Sequence, residues 1–443
     1  MANPSNNSNP IWHPFALHPQ EKLPQVIKAY GIWLELANGK KIMDCISSWW
    51  VNIHGHCHPE IIEAITNQAK SLDQIVFADF SHESADNLAQ GLLEILPSNM
   101  AKLYFTDDGS TSVELALKLA YQYWQNIGLT AKTKFIGFSD GYHGDTVGAM
   151  SLGQSSIFTR KFNQLMFNIE IIDYPKIYFN DSKITPKNDT VLAQIKTLFE
   201  QKANEIAGIV IEPLIQGAGG MNMCSVSFLQ DLAKLCKTYN VLLIYDEVLT
   251  GFGRTGDYFA ATKSQTRPDL ICLSKGITGG ILPLAATVMS QAIFDTFDTV
   301  ELSKRFFHGH SYTANPIACA AAVKSLELLK RNHGQFNNME NIHIDLYKRY
   351  LAPNIYIKNY RVCGCIAAFD LNTKLNLETD YGNNLSQLLK ENLLAAGLLF
   401  RPLGNVVYIM TPYCITANEL ELIYNTLTTK INALFTSYAK LNK

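Results

Sequence analysis

Between about residues 100 and 290, short apolar runs alternate with stretches of helical period. The runs are KLYFT (102–106), KFIGF (134–138), IAGIVIEP (206–213), VLLIYDEV (241–248) and DLICLSKG (269–276). They are rich in β-branched and aromatic residues with little polar alternation, the pattern of a strand covered on both faces. Between them, apolar residues recur every three or four positions. In 111–126, Val113, Ala116, Leu117, Ala120, Tyr123 and Trp124 fall at helical spacing, and SFLQDLAKLCKTYN (227–240) reads as another helix. Strands that alternate with helices need crossover connections, so the pattern predicts an α/β fold with a mostly parallel sheet flanked by helices.

After about residue 317 the pattern changes. NPIACAAAVKSLELLK predicts a long helix leading away from the sheet. RVCGCIAAFDL, NLSQLLKENLLAAG and LLFRPLGNVVYIM then alternate short strands with a helix, and Thr416-Ala-Asn-Glu419 has the form of a capping box opening the last helix. These segments predict a smaller α+β domain. We therefore expect an N-terminal segment (1–55) that joins the small domain, a large domain (56–317) and a C-terminal small domain (318–443). The polar stretch YFNDSKITPKNDT (178–190) reads as an exposed loop.

Composition narrows the function classes. With 47% hydrophobic and 17% charged residues in 443, the chain can bury a large core. Its net charge of −2 supplies no basic excess for nucleic acid or an anionic membrane surface. No apolar run reaches the length of a membrane span, and MANPSNNSNP is not a signal-peptide pattern. The nine scattered cysteines suit reduced thiols, so we expect a cytoplasmic protein.

Ligands of an open parallel sheet bind beyond the carboxyl ends of its strands. Asp246 and Glu247 follow one buried run, Lys275 a second and Glu212 a third. A lysine and an aspartate in one cleft suit pyridoxal phosphate: the amine condenses with the cofactor aldehyde and the carboxylate faces the pyridine nitrogen. At ~3 Å and an effective dielectric of ~20, that carboxylate contributes on the order of 5 kcal/mol toward keeping the nitrogen protonated. Gly109, Ser110 and Thr111 lie between a strand and a helix start, where they offer either an anion site for the phosphate or an ordinary N-cap. Tyr142 in GYHGDT could lie on a planar ring or serve as a structural aromatic.

Two patterns invite other readings. Gly251-x-Gly253-x-x-Gly256 has the spacing of a dinucleotide loop and would suggest an NAD-dependent dehydrogenase. Such a loop opens a helix directly after its strand, whereas these glycines come several residues after Asp246 and no long helical period follows. We expect them to form a flexible loop over the site. His54, His56, Cys57 and His58 resemble a metal cluster, but alternating residues of an extended segment face opposite ways, and we expect no metal. Cys363 and Cys365 read as core residues.

IYDEVLTGFGRTG, PDLICLSKGITGG and FFHGHSYTANPIACAAA resemble the class III aminotransferases, pyridoxal-phosphate enzymes of fold type I. IWHPF, DCISSWWVNIHGHCHPE, YWQNIG, GYHGDTVGAMS, EPLIQGAGGM and FRPLGNVVYIMTPY resemble the branch of that class that acts in biotin biosynthesis, the 7,8-diaminopelargonic acid synthases. The resemblance implies that Lys275 carries the cofactor, Asp246 pairs with its ring nitrogen, Tyr142 lies near the ring, and Gly109 and Ser110 bind the phosphate. It implies that His310 and Ser311 complete the phosphate site from a neighbouring subunit, so that a homodimer shares its active sites. Phe15, Trp49, Trp50, Tyr142, Lys275, Gly309 and Arg401 fall at substrate positions, with Asp145, Arg254 and Tyr408 in nearby motifs. The implied reaction converts 8-amino-7-oxononanoate to 7,8-diaminononanoate, with S-adenosylmethionine as the usual donor and lysine as the alternative. Phe15 departs from the pattern, standing where many S-adenosylmethionine users have a tyrosine. We expect S-adenosylmethionine. Another class III ω-aminotransferase, acting on ornithine or 4-aminobutyrate, is the competing reading; Trp49, Trp50 and the Arg401 segment argue against it.

Overall fold

Alternate residues of the central strands separate into two cores. Leu243 and Tyr245 pack on one side and Leu242 and Ile244 on the other; Ile271 and Leu273 are divided in the same way from Leu270 and Cys272. A pleat buried on both faces needs apolar side chains in both directions, which explains the unbroken apolar runs. The computed structural model describes residues 11–15, 23–153, 156, 158–372 and 384–441.

The central sheet has seven strands, in the order Met100–Thr106, Ala285–Ser290, Leu270–Leu273, Leu242–Asp246, Ile206–Ile211, Lys134–Phe138 and Glu170–Ile172. Ala285–Ser290 is antiparallel to both of its neighbours, and the other pairings in this sheet are parallel, so the fold is α/β and mostly parallel as expected. Gly279 (φ 71°) and Gly280 (φ 87°) take the left-handed backbone on the path back into that strand. Helix Gly109–Asn126 lays Leu115, Ala116, Leu119 and Ala120 into one core, and Trp124 Nε1 donates to Ala207 O at 2.7 Å.

Three smaller sheets flank the first. One joins Val26–Tyr30, Trp33–Leu36 and Lys41–Asp44 to Leu398–Leu399, which tie the two ends of the chain together. Another contains Ile357–Cys363, Ile366–Leu371 and Val406–Ile409, and the third pairs Ile215–Gln216 with Asn222–Met223. The long helix Pro316–Arg331, capped by the Asn315 side chain, packs against helices Pro59–Ser71 and Glu83–Leu93. Thr416 and Glu419 form the expected reciprocal cap at the head of Ala417–Leu441. Among the described residues, no helix is long and apolar enough to cross a membrane.

Two expectations are corrected. The stretch 178–190 is not all loop, because helix Ile184–Lys202 begins inside it and buries Asn188, Val191, Ile195 and Phe199. Its polar composition conceals an inward Asn188, whose amide nitrogen donates to the hydroxyls of Ser225 and Ser227. The loop around Gly251, Gly253 and Gly256 is buried, not a mobile cover. Gly253 (φ 95°) has no room for a Cβ between Tyr413 and Phe336, and a Cβ on Gly364 would lie 2.2 Å from Gly256 N. These glycines allow close backbone packing.

Candidate active site

The parallel strands deliver their polar ends to one cavity of about 740 Å³. Asp246 ends its strand, Glu212 follows Ile211, and Lys275 opens a short 3₁₀ turn just beyond Leu273. All three line the cavity, together with Trp50, Gly109, Ser110, Tyr142, His143, Asp145 and Thr146. Lys275 has φ 45°, a left-handed conformation that a non-glycine residue keeps only when its surroundings enforce it.

Asp246 is buried, with Oδ2 2.7 Å from His143 Nδ1 and Oδ1 accepting from Val248 N at 3.1 Å. Burial alone would lower His143, but the hydrogen bond and charge of Asp246, with Glu212 nearby, hold the imidazole above its ordinary range. Glu212 accepts from Tyr142 N at 3.0 Å and Gly217 N at 2.8 Å, and burial pushes it up to about 7. Lys275 is lowered chiefly by burial, against the pull of Asp246 and Glu212. Its Nζ lies 4.9 Å from the centroid of the Trp50 ring.

At the other end of the cavity, Asp108 caps helix Gly109–Asn126 by accepting from Thr111 N at 3.0 Å. Ser110 Oγ is 2.8 Å from Thr146 Oγ1 and accepts from Thr146 N at 3.0 Å. A Cβ on Gly109 would meet Val248 at 2.6 Å, and one on Gly144 would meet Ser110 Oγ at 2.2 Å. A cradle of glycine backbone and hydroxyls at a helix N-terminus suits a phosphate. With an amine and a carboxylate in the same cavity, this donor set fits pyridoxal phosphate.

Residues 17–431 match the aminotransferase class-III family. The chain belongs to that family. A relative from Synechococcus elongatus named adenosylmethionine-8-amino-7-oxononanoate aminotransferase is 44% identical, covering 94% of this chain and 96% of its own. One of the same name from Geobacter sulfurreducens is 36% identical, covering 96% of each chain. The crystal structure of adenosylmethionine-8-amino-7-oxononanoate aminotransferase from Methanocaldococcus jannaschii superposes with TM-score 0.87 at 33% identity, over 96% of this chain and 97% of that one. A PLP-bound amine transaminase from an uncultivated Pseudomonas species gives TM-score 0.89 at 27% identity, over 98% and 100%. This class III aminotransferase therefore has fold type I, and pyridoxal phosphate is its cofactor.

The remaining expected residues of the aminotransferase fall into three groups outside the cavity lining. Arg401 lies with its guanidinium carbon 4.8 Å from the Trp49 ring and 5.7 Å from Phe15, whose rings are 5.7 Å apart. Gly309 and Ser311 sit on an exposed segment beside His310, whose Nδ1 lies 3.4 Å from Asp107 Oδ2. Arg254 is buried and donates to the carbonyls of Trp50, Asn52 and Thr411, and Tyr408 Oη accepts from Trp50 Nε1 at 2.9 Å. His54, His56 and His58 line one small pocket, in which His54 bonds to Ser325 and His56 to Asp44.

Sequence reasoning missed His143 altogether, although it stands next to Tyr142 in a segment already singled out. Glu247 points away from the cofactor site; it accepts from Ala260 N, Ala261 N and Thr250 Oγ1 and caps helix Ala260–Ser264. Its burial raises it to about 7. In the sequence, Asp246 and Glu247 are adjacent acids; the pleat gives them opposite duties.

Proposed function

We propose that this aminotransferase converts 8-amino-7-oxononanoate to 7,8-diaminononanoate, with S-adenosylmethionine as amino donor. The observation that carries the substrate assignment is Arg401. Its guanidinium packs on Trp49 and Phe15 and has no carboxylate partner among the described residues. A planar cation left free beside an aromatic wall suits a carboxylate at the end of an aliphatic chain. The names of the relatives support the same substrate.

When bound, pyridoxal phosphate supplies an electron sink for the bond to be broken at the substrate's Cα. Asp246 would keep the pyridine nitrogen protonated, and His143 fixes the orientation of that carboxylate. Lys275 would hold the cofactor, and its free amine would take a proton from the substrate's Cα and return it. Its lowered pKa enlarges the neutral fraction able to accept that proton. Trp50 covers the amine and restricts water. Gly109 and Ser110 would bind the phosphate, and Tyr142, which lines the same cavity, would pack near the ring.

His310 and Ser311 belong in this reading to a second copy of the chain and complete its phosphate site, with Gly309 at its substrate site. Phe307 and Tyr312, 69% and 63% exposed, support a covered face here. The reading includes a cytoplasmic location and the division into segments 1–55, 56–317 and 318–443.

The test is to supply the purified enzyme with 8-amino-7-oxononanoate and either S-adenosylmethionine or lysine, and to measure the diamine. Product with S-adenosylmethionine alone supports the proposal. Product with lysine alone would reassign the donor, and no product with either would discard the substrate.

A further inference from the structure

Two adjacent tryptophans must serve different places. Trp50 enters the cavity beside Lys275, whereas Trp49 turns outward to Phe15 and Arg401. The backbone achieves this with left-handed φ values at Ser47 (52°), Ser48 (62°) and Trp50 (70°), none of them glycine. Such a turn persists only where neighbouring groups over-determine it.

A buried carboxylate behind the turn supplies that determination. Asp44 is fully buried and does not line the cavity. Its Oδ1 accepts from Ile46 N at 3.2 Å; its Oδ2 accepts from Ser48 N at 2.5 Å, Ser48 Oγ at 3.1 Å and His56 Nε2 at 2.9 Å. Asn52 fixes the histidine tautomer. Gly55 N donates to Asn52 Oδ1 at 2.8 Å, which leaves the Asn52 amide nitrogen, 3.3 Å from His56 Nδ1, as a donor. His56 Nε2 must then carry the proton that Asp44 receives. The backbone of His56 is itself anchored by paired hydrogen bonds with Gly31.

We propose that Asp44 and His56 are positioning residues for substrate recognition, acting through the turn that sets Trp49 against Arg401. This inference rests on the reading of Trp49 and Arg401 as the carboxylate end of the substrate site. Neither residue lines the cofactor cavity, and Trp50, in the same turn, is held separately by Tyr408 and Arg254, so the effect falls chiefly on Trp49 and substrate binding.

The experiment is a double-mutant cycle on the holoenzyme, with Asp44→Asn, Trp49→Ala and the pair. Asp44→Asn is expected to raise KM for 8-amino-7-oxononanoate by about tenfold to a hundredfold, the scale of lost hydrogen bonds to a charged group. The change in kcat should stay within about threefold, with cofactor content and its visible absorbance retained. The pair should be clearly less than additive, since both changes disable one wall. His56→Ala should repeat the effect and His56→Gln, which retains a side-chain donor, should recover part of it. If Asp44→Asn proves insoluble, the same cycle is run with His56→Ala. Additive effects, or an unchanged KM where Trp49→Ala raises it, would overturn the inference and leave the site reading intact. Unchanged KM in both single variants would remove the site reading and the inference with it.

Discussion

Replacing Asp246 by asparagine removes one charge and nearly preserves shape. In the wild type, the carboxylate is already committed to His143 at 2.7 Å and to the amide of Val248 at 3.1 Å, so its position is fixed before any cofactor arrives. At ~3 Å and an effective dielectric of ~20, its attraction for a protonated pyridine nitrogen is about 5 kcal/mol. An amide returns about 1 kcal/mol as a neutral hydrogen bond. The difference of about 4 kcal/mol, at ~1.4 kcal/mol per factor of ten, predicts a fall in kcat of about a thousandfold. The assay is diamine formation at saturating substrates with the cofactor-loaded variant, in which both KM values should change little. His143 should also respond: without the carboxylate, burial takes over and the imidazole moves below its ordinary range, which NMR titration would detect. A variant that kept more than about a tenth of wild-type kcat would refute the assignment of Asp246 to the ring nitrogen.

Lys275→Ala should lose steady turnover and release its cofactor on dialysis; normal turnover would remove Lys275 from the mechanism. Gly144→Ala places a methyl group 2.2 Å from Ser110 Oγ and should weaken cofactor binding by at least about tenfold in a fluorescence titration, so wild-type affinity would argue against the phosphate cradle. Arg401→Ala should raise KM for the keto acid by about tenfold to a hundredfold with kcat little changed, and an unaltered KM would move the carboxylate site elsewhere. Burial raises Glu247 from an ordinary value near ~4.3 to about 7, so folding takes up a proton between those values. Its stabilising share, on the order of 3 kcal/mol, is full below about pH 4 and is lost as the pH rises to about 7. The urea midpoint of the apoprotein should therefore fall less steeply between about pH 5 and 7 in Glu247→Gln than in wild type, and an equal or steeper fall would contradict the assignment.

The central sheet was legible because burial on both faces leaves continuous apolar runs, and Asp246 and Lys275 were legible because they stand where those runs end. Ala285–Ser290 was not anticipated: AATVMS is built of small residues, and its antiparallel sense comes from the backbone reversal at Gly279 and Gly280. His143 was invisible for a related reason. Its partner lies 103 positions away, on a different strand, and local pattern carries no record of that pairing. The turn at Ser47–Trp50 shows the same limit, since Asp44 and His56 stand in a recognisable segment whose pattern does not reveal that their side chains meet behind the turn. The glycines of 251–256 misled in the opposite direction, because close packing and mobility demand the same residue.

The pairing of Lys41–Asp44 with Leu398–Leu399 has a consequence for biosynthesis. Lys40, just upstream, reaches Leu394, 354 positions further on. At roughly 5–20 residues per second, the ribosome needs on the order of a minute or less between the two. During that interval the emerging polypeptide can assemble its central layer but has nothing against which to complete its first sheet. The tryptophan turn follows directly after Asp44 and takes part of its support from Thr411 through Arg254. Completion of the substrate wall thus waits until the segment from Leu394 to Thr411 is made, and a product terminated before it retains the groups that grip the cofactor without the wall that selects what reacts there.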